Sequence, residues 1–232
     1  MFHFIINSKN YVESSGDASK KLASAILRVS KESEISKAGI KFYFAAPAFS
    51  ILALSREFPE LQILAQHLDP SVTGSTTGFL APEIAKMSGA SGSLVNHSEH
   101  RISVEEIRKT VDALRSLHIM SVVCARDAEE VSKFASFAPD FIAIEPPDLI
   151  GSGRAVSKVK PELITESKAA LVHALKTDQS TLLLCGAGII DAFDVKRAAE
   201  LGAEGILIAS GVVKAKDWEA QIRSLADGYA KR

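Results

Sequence analysis

Eight short apolar runs punctuate this chain, and none of them alternates cleanly with polar residues. They are Phe2–Ile6, Ile40–Ala46, Leu61–Ala65, Ser93–Val95, Ile119–Cys124, Phe141–Ile144, Thr181–Cys185 and Gly205–Ala209. A strand with one wet face places a polar residue at every second position. Continuous apolar runs of this length instead read as strands covered on both faces, the condition of a parallel sheet.

Helix signals fill the intervals. Asp17 to Ser33 sets Leu22, Ala25, Ile26 and Val29 on one stripe, with Lys20, Lys21, Arg28 and Lys31 elsewhere. Ser103 and Glu106 form a capping box ahead of Ile107, Val111 and Leu114. Asp127 opens Ala128–Phe137, Pro161 stands at the first turn of Glu162–Leu175, and Asp191 precedes Phe193–Leu201, which Gly202 ends. Asp217 opens a last helix with Trp218, Ile222 and Leu225 on its inner stripe. Strand then helix, eight times over, predicts an α/β protein built as a closed (β/α)8 barrel. A doubly wound sheet expects a Gly-rich turn after the first strand, and Asn7-Ser8-Lys9 stands there instead. No linker or change of composition interrupts the chain, so residues 1–232 are expected to form one barrel domain. The longest irregular piece, His67–Pro82 with Gly74-Ser-Thr-Thr-Gly78 in it, reads as a functional loop, either solvated or protruding into an interface.

Composition narrows the partners. The net charge is -1 without a long basic run, which disfavours nucleic acid and acidic membranes. No apolar run approaches the roughly 20 residues that span a bilayer. The first residues lack the basic flank of a signal peptide, and Cys124 and Cys185 are too few for a disulfide scaffold and lack metal-site spacing. These features predict a cytoplasmic globular protein.

In such barrels the chemistry gathers at the C-terminal ends of the strands. There the sequence places Lys9, His97-Ser98-Glu99, Glu145, Gly186-Ala-Gly188 and Ala209-Ser210-Gly211. Glu145 ends a buried run, so its carboxylate is poorly solvated and suited to accept a proton; the bland alternative is a strand-ending glutamate on a surface turn. His97, read as lying near a helix N-terminus, is expected to be neutral and to donate one hydrogen bond to a substrate oxygen; alternatively it is a buried histidine satisfied by backbone. Lys9 follows a buried strand and suits stabilisation of an oxyanion, with Glu99 expected as its ion-pair partner; alternatively it is a solvated loop lysine. Gly186, Gly188, Ser210 and Gly211 suit small-residue turns after strands 7 and 8, where a phosphate site recurs in such barrels, with Gly151 able to add an amide; the bland alternative is plain turn residues. Prolines 146 and 147 followed by Gly151 and Gly153 have the composition of a stiff lid on hinges.

Together, Asn7-x-Lys9, Ala65-Gln66, Asn96-His-Ser-Glu99 and Glu145-Pro with Ile150-Gly-Ser-Gly153 resemble the triosephosphate isomerases, a family of TIM barrels. Cys185-Gly-Ala-Gly-Ile189 and Ala209-Ser-Gly-Val-Val-Lys214 resemble its shorter, archaeal-type branch. The resemblance runs from the first strand to the last. It implies a cofactor-free, metal-free interconversion of dihydroxyacetone phosphate and glyceraldehyde 3-phosphate. Glu145 is then the base, His97 the electrophile and Lys9 the cation, the scheme known for the family, with Ser98 and Glu99 supporting. Asn7 and Lys9 position the substrate. Gly151, Gly188, Ala209 and Ser210 contact the phosphate, Ile150 lines the lid, and closure of Pro146–Gly153 excludes water. Loop Gly74–Gly78 resembles the finger that enters a neighbouring subunit, implying a homodimer or homotetramer.

The chain also departs from the family. His100 follows Glu99 where most relatives carry arginine, Ile144 precedes the base where an aromatic is frequent, and Phe79 follows Gly78 where a polar residue is common. Pro147-Asp148-Leu149 differs from the commonest lid centre. The rival readings are another sugar-phosphate isomerase or epimerase, and a barrel that binds a phosphometabolite without turnover. Such epimerases typically use paired acidic groups and often a metal, and no Asp pair or His cluster stands at these strand ends. The joint presence of Lys9, His97 and Glu145 speaks against a non-catalytic barrel.

Overall fold

A computed structural model describes residues 1–70, 73–146, 160–175 and 180–231. Its centre is a closed parallel barrel in sequential order. The strands are β1 (Phe2–Asn7), β2 (Ile40–Ala46), β3 (Gln62–Ala65), β4 (Gly92–Val95), β5 (Met120–Ala125), β6 (Phe141–Ile144), β7 (Leu182–Cys185) and β8 (Gly205–Ile208). Each lies within one residue of the apolar run that predicts it. β8 returns to pair with β1, His3 opposite Gly205 and Ile6 opposite Ile208.

The lack of alternation has a direct cause. Ile5, Leu64, Leu94, Val122, Leu184 and Leu207 fill the barrel interior. Their neighbours on the same strands, such as Phe4, Ile63, Val123 and Ile206, pack outward under the helices. Both faces of every strand are therefore apolar. Helix starts follow the predicted caps: Ser103 and Glu106 exchange both capping-box bonds, as do Asp191 and Asp194. Asp127 and Asp217 each accept a first-turn N–H through the side chain.

The first helix ends at Ser30 rather than Ser33, and a separate short helix spans Ser33–Lys37. Glu32 stands between them in an extended conformation, its carboxylate held by the Arg223 guanidinium through bonds of 2.6–3.0 Å. That long-range pair turns the chain and lets Ile35 bury itself. The long loop is clamped at its base, since Asp69 N–H donates to Leu80 O at 3.0 Å and Leu80 N–H to Asp69 Oδ2 at 2.6 Å. Helix Pro82–Met87 follows at once. Among the described residues no helix is long and apolar enough to cross a membrane.

The end of the barrel away from the strand C-termini is closed by rings. His3 Nδ1 and Tyr43 Oη are hydrogen-bonded at 2.8 Å, and the His3 and Phe141 rings meet in a T-shaped arrangement with centroids 4.7 Å apart. Burial, and next the charge of Lys41, lower the His3 pKa to about 4. Above pH 6.5 neither the folded nor the unfolded chain carries this proton. As pH falls below 6.5 the unfolded chain binds it first, so stability drops until about pH 4, where the folded chain binds it too. After allowance for solvent screening at the barrel end, the loss is about 2 kcal/mol. His3→Gln should flatten the stability profile between pH 6.5 and 4 by that amount. Urea titrations of both proteins at several pH values check it, and parallel profiles would refute it.

Candidate active site

Closing the barrel gathers the strand ends, and with them three side chains far apart in sequence. Glu145 follows β6 directly, while His97 and Lys9 stand on the turns just beyond β4 and β1. They share a cavity of about 200 Å³ with Asn7, Gly188, Ala209 and Ser210.

Lys9 adopts φ 47°, a left-handed conformation that costs a non-glycine residue on the order of 1 kcal/mol. Two amide side chains hold it there. Asn7 Oδ1 accepts the Lys9 N–H at 2.8 Å, and Gln66 Nε2 donates to Lys9 O at 2.8 Å. The ammonium then reaches Glu99, its anticipated partner, with Nζ 2.7 Å from Oε1.

Glu145 is only 4% exposed. Its Oε1 lies 3.3 Å from His97 Nε2, and its Oε2 accepts the Ser98 N–H at 3.3 Å. Glu99 N–H donates to His97 Nδ1 at 3.2 Å. A ring nitrogen that accepts a hydrogen bond carries no proton, so the proton of this imidazole sits on Nε2, facing Glu145. This corrects the helix-terminus explanation for a neutral histidine. The helix begins at Val104 with Ser103 as its cap, whereas His97 belongs to a turn closed by His100 N–H donating to His97 O at 2.8 Å. A backbone amide within that turn selects the tautomer.

The Glu145 stem packs on Gly186, where an added Cβ would lie 2.7 Å from Glu145 Cγ. Only glycine leaves the carboxylate where it is. From the barrel interior Cys124 faces the same carboxylate; burial foremost, then the Glu145 charge, push its thiol pKa well above the usual range. Cys124 is thus a small protonated filler, in keeping with a packing role.

Across the cavity Gly188 turns the chain at φ 70°, and Ala209 caps the short helix Ser210–Val213. First-turn N–H groups lack intrahelical partners, and the small side chains leave the backbone approachable. Ile150, Gly151 and the rest of the lid centre lie outside the described residues.

On the far side of Lys9 a second cavity of about 380 Å³ opens between Phe49, Gln66, His67, Leu80 and His100. His100 stacks on His67 with centroids 4.1 Å apart. Burial, then the His100 charge, lower the His67 pKa below its ordinary value, while Asp69 Oδ1, 3.3 Å from His67 Nε2, opposes them.

Two contributors had no part in the sequence reading of the reaction. Gln66 was visible as a polar residue closing a buried run, yet nothing local says that it grips Lys9. Gly186 reads in sequence only as part of a phosphate turn, because its contact with Glu145 crosses from β7 to β6.

Comparison with known proteins agrees with this geometry. The family model described as triosephosphate isomerase matches residues 2–225. The triosephosphate isomerase of Cenarchaeum symbiosum (strain A) is 46% identical over 226 residues, covering 97% of each chain. Those of Methanothermus fervidus and Methanocaldococcus jannaschii are 43% and 40% identical, covering 95% of this chain and 96% and 97% of their own. With a closed eightfold barrel, a buried carboxylate, an imidazole and an ammonium at its strand ends, and likeness along nearly its whole length, the chain belongs to the triosephosphate isomerase family.

Proposed function

We propose that this cavity interconverts dihydroxyacetone phosphate and D-glyceraldehyde 3-phosphate through an enediolate, with Glu145 as the base. The observation that carries the reading is the pairing of a buried carboxylate with a protonated imidazole nitrogen 3.3 Å away. A substrate entering between them presents the carbon beside its carbonyl to Glu145 and its oxygens to His97 Nε2–H. Glu145 removes the proton from that carbon and returns it to the neighbouring one, while His97 and the Lys9 ammonium stabilise the negative oxygen. Asn7 lines the cavity beside Lys9. Ser98 holds the free carboxylate through its N–H, and Glu99 keeps Lys9 extended and the His97 tautomer fixed.

The phosphate rests on backbone N–H groups around Gly188, Ala209 and Ser210, with Gly151 and Ile150 supplied by the lid. Lid closure excludes water, which favours proton transfer and keeps phosphate from being eliminated from the enediolate. Proton transfer by Glu145 and charge stabilisation by His97 and Lys9 supply the chemistry, so the reaction calls for no cofactor or metal. Family membership favours this isomerase over an epimerase or a passive binding barrel.

A second copy of the chain is the proposed partner. Phe49, on the rim of the open cavity at His67 and His100, is 103% exposed, and Phe79, next in the chain to Leu80 of that lining, is 58% exposed. Exposed aromatic side chains and an open cavity suit a self-complementary contact made by loop Gly74–Gly78.

Two results are expected. Glu145→Gln should lower kcat by roughly 10³-fold in a coupled assay while leaving inhibition by inorganic phosphate near the parental value, because only the proton acceptor is lost. Near-parental turnover would sink the base assignment. Deleting Ser75–Thr77 should lower the mass seen by light scattering at low protein concentration, and an unchanged mass would reject the loop as the contact.

A further inference from the structure

We infer that Asn96 is the positioning residue that holds the His97 turn against Glu145, through its side-chain amide and its left-handed backbone together. The inference rests on the proposed role of His97. Asn96 is the first residue beyond β4, is 1% exposed and has φ 60°. Asparagine tolerates this region better than most residues, but burial there still requires every polar atom to be satisfied.

Both ends of the amide are engaged. Nδ2 donates to Cys124 O at 2.9 Å, and Oδ1 accepts the Ile102 N–H at 3.1 Å. The first bond extends the β4–β5 ladder by side chain where the main chain has turned away. Carbonyls alternate along a strand, and Ala125 O takes the Glu145 N–H on the β6 side at 2.7 Å. Cys124 O therefore points toward β4, whose last paired residue is Val95. The second bond closes the segment from Asn96 to Ile102 into a loop just before the helix cap. His97, Ser98 and Glu99 all lie inside that loop, so one amide sets the height of the imidazole above β5 and the direction of the Ser98 and Glu99 N–H groups. Those N–H groups are the ones that meet the Glu145 carboxylate and His97 Nδ1.

Asn96→Gly separates the two contributions, because glycine keeps the left-handed backbone and removes both amide bonds. The variant should fold, and its kcat for glyceraldehyde 3-phosphate should fall about tenfold, the scale of a small misplacement of a catalytic group. KM and inhibition by inorganic phosphate should stay within about twofold, since the phosphate turns lie across the cavity. In 15N spectra the His97 ring should change from a single Nε2–H tautomer to a mixture. Asp217→Ala, which removes the cap of the last helix, is the control for lost stability and should keep parental kcat. Should the glycine variant fail to fold, Asn96→Asp retains the backbone and the acceptor for Ile102, loses the donor to Cys124 O, and should show the same kcat loss. Parental kcat with an unshifted His97 spectrum in either variant overturns the inference. Parental kcat in His97→Gln would overturn the role of His97 itself, which keeps the two failures apart.

Discussion

The pairing of β1 with β8 is the constraint on which the site depends. Without it eight parallel strands form an open twisted sheet, and their C-terminal ends spread along one edge. With it those ends form a ring, and residues borne on β1, β4 and β6 face one another across a cavity. Closure in turn requires an interior of fixed volume, which Ile5, Leu64, Leu94, Val122, Leu184 and Leu207 fill. The same alternation that sends Phe4 and Ile206 outward under the helices sends these side chains inward, so closure and helix packing are set by one register.

Two turns at the strand ends have left-handed backbone beside the cavity, at Lys9 itself and at Asn96 just ahead of His97. Each conformation costs on the order of 1–3 kcal/mol. Each is offset by hydrogen bonds from neutral amides: Asn7 and Gln66 at Lys9, and the side chain of Asn96 at its own turn. At a net 0.5–1.5 kcal/mol or so per bond, two bonds at each turn are enough to hold it. Neutral amides suit this position for an electrostatic reason. They fix the backbone without adding charge to a cavity proposed to hold a phosphate and a developing oxyanion, where stray negative charge opposes binding.

The charged groups are arranged with the same economy. Glu99 is half-exposed and ties the Lys9 ammonium from the solvent side, so the carboxylate that orients the cation stands outside the reacting space. Glu145 is the buried carboxylate, confined by Gly186 behind its stem and by His97 in front. At the opposite end burial lowers the His3 pKa and raises that of Tyr43, so the two hydrogen-bonded side chains are neutral at pH 7.

Much of this was legible in the chain. Strands buried on both faces leave an unbroken apolar signature, which is why each run lies within a residue of its strand. Caps such as Ser103, Asp127, Asp191 and Asp217 are local hydrogen bonds between neighbours, and local bonds are written in local sequence. Glu145, His97 and Lys9 could be singled out because a polar residue at the end of a buried strand is exceptional. The sequence by itself therefore determined the number and place of the strands, the helix starts, and the residue types at the cavity. Tertiary structure alone decided the break at Lys31–Glu32, the grip of Gln66 on Lys9, the fit of Gly186 to Glu145 and the tautomer of His97. Apart from that tautomer, set by a bond between neighbours that no pattern reveals, each depends on groups distant in the chain. Only barrel closure and packing bring such groups within hydrogen-bonding or van der Waals reach.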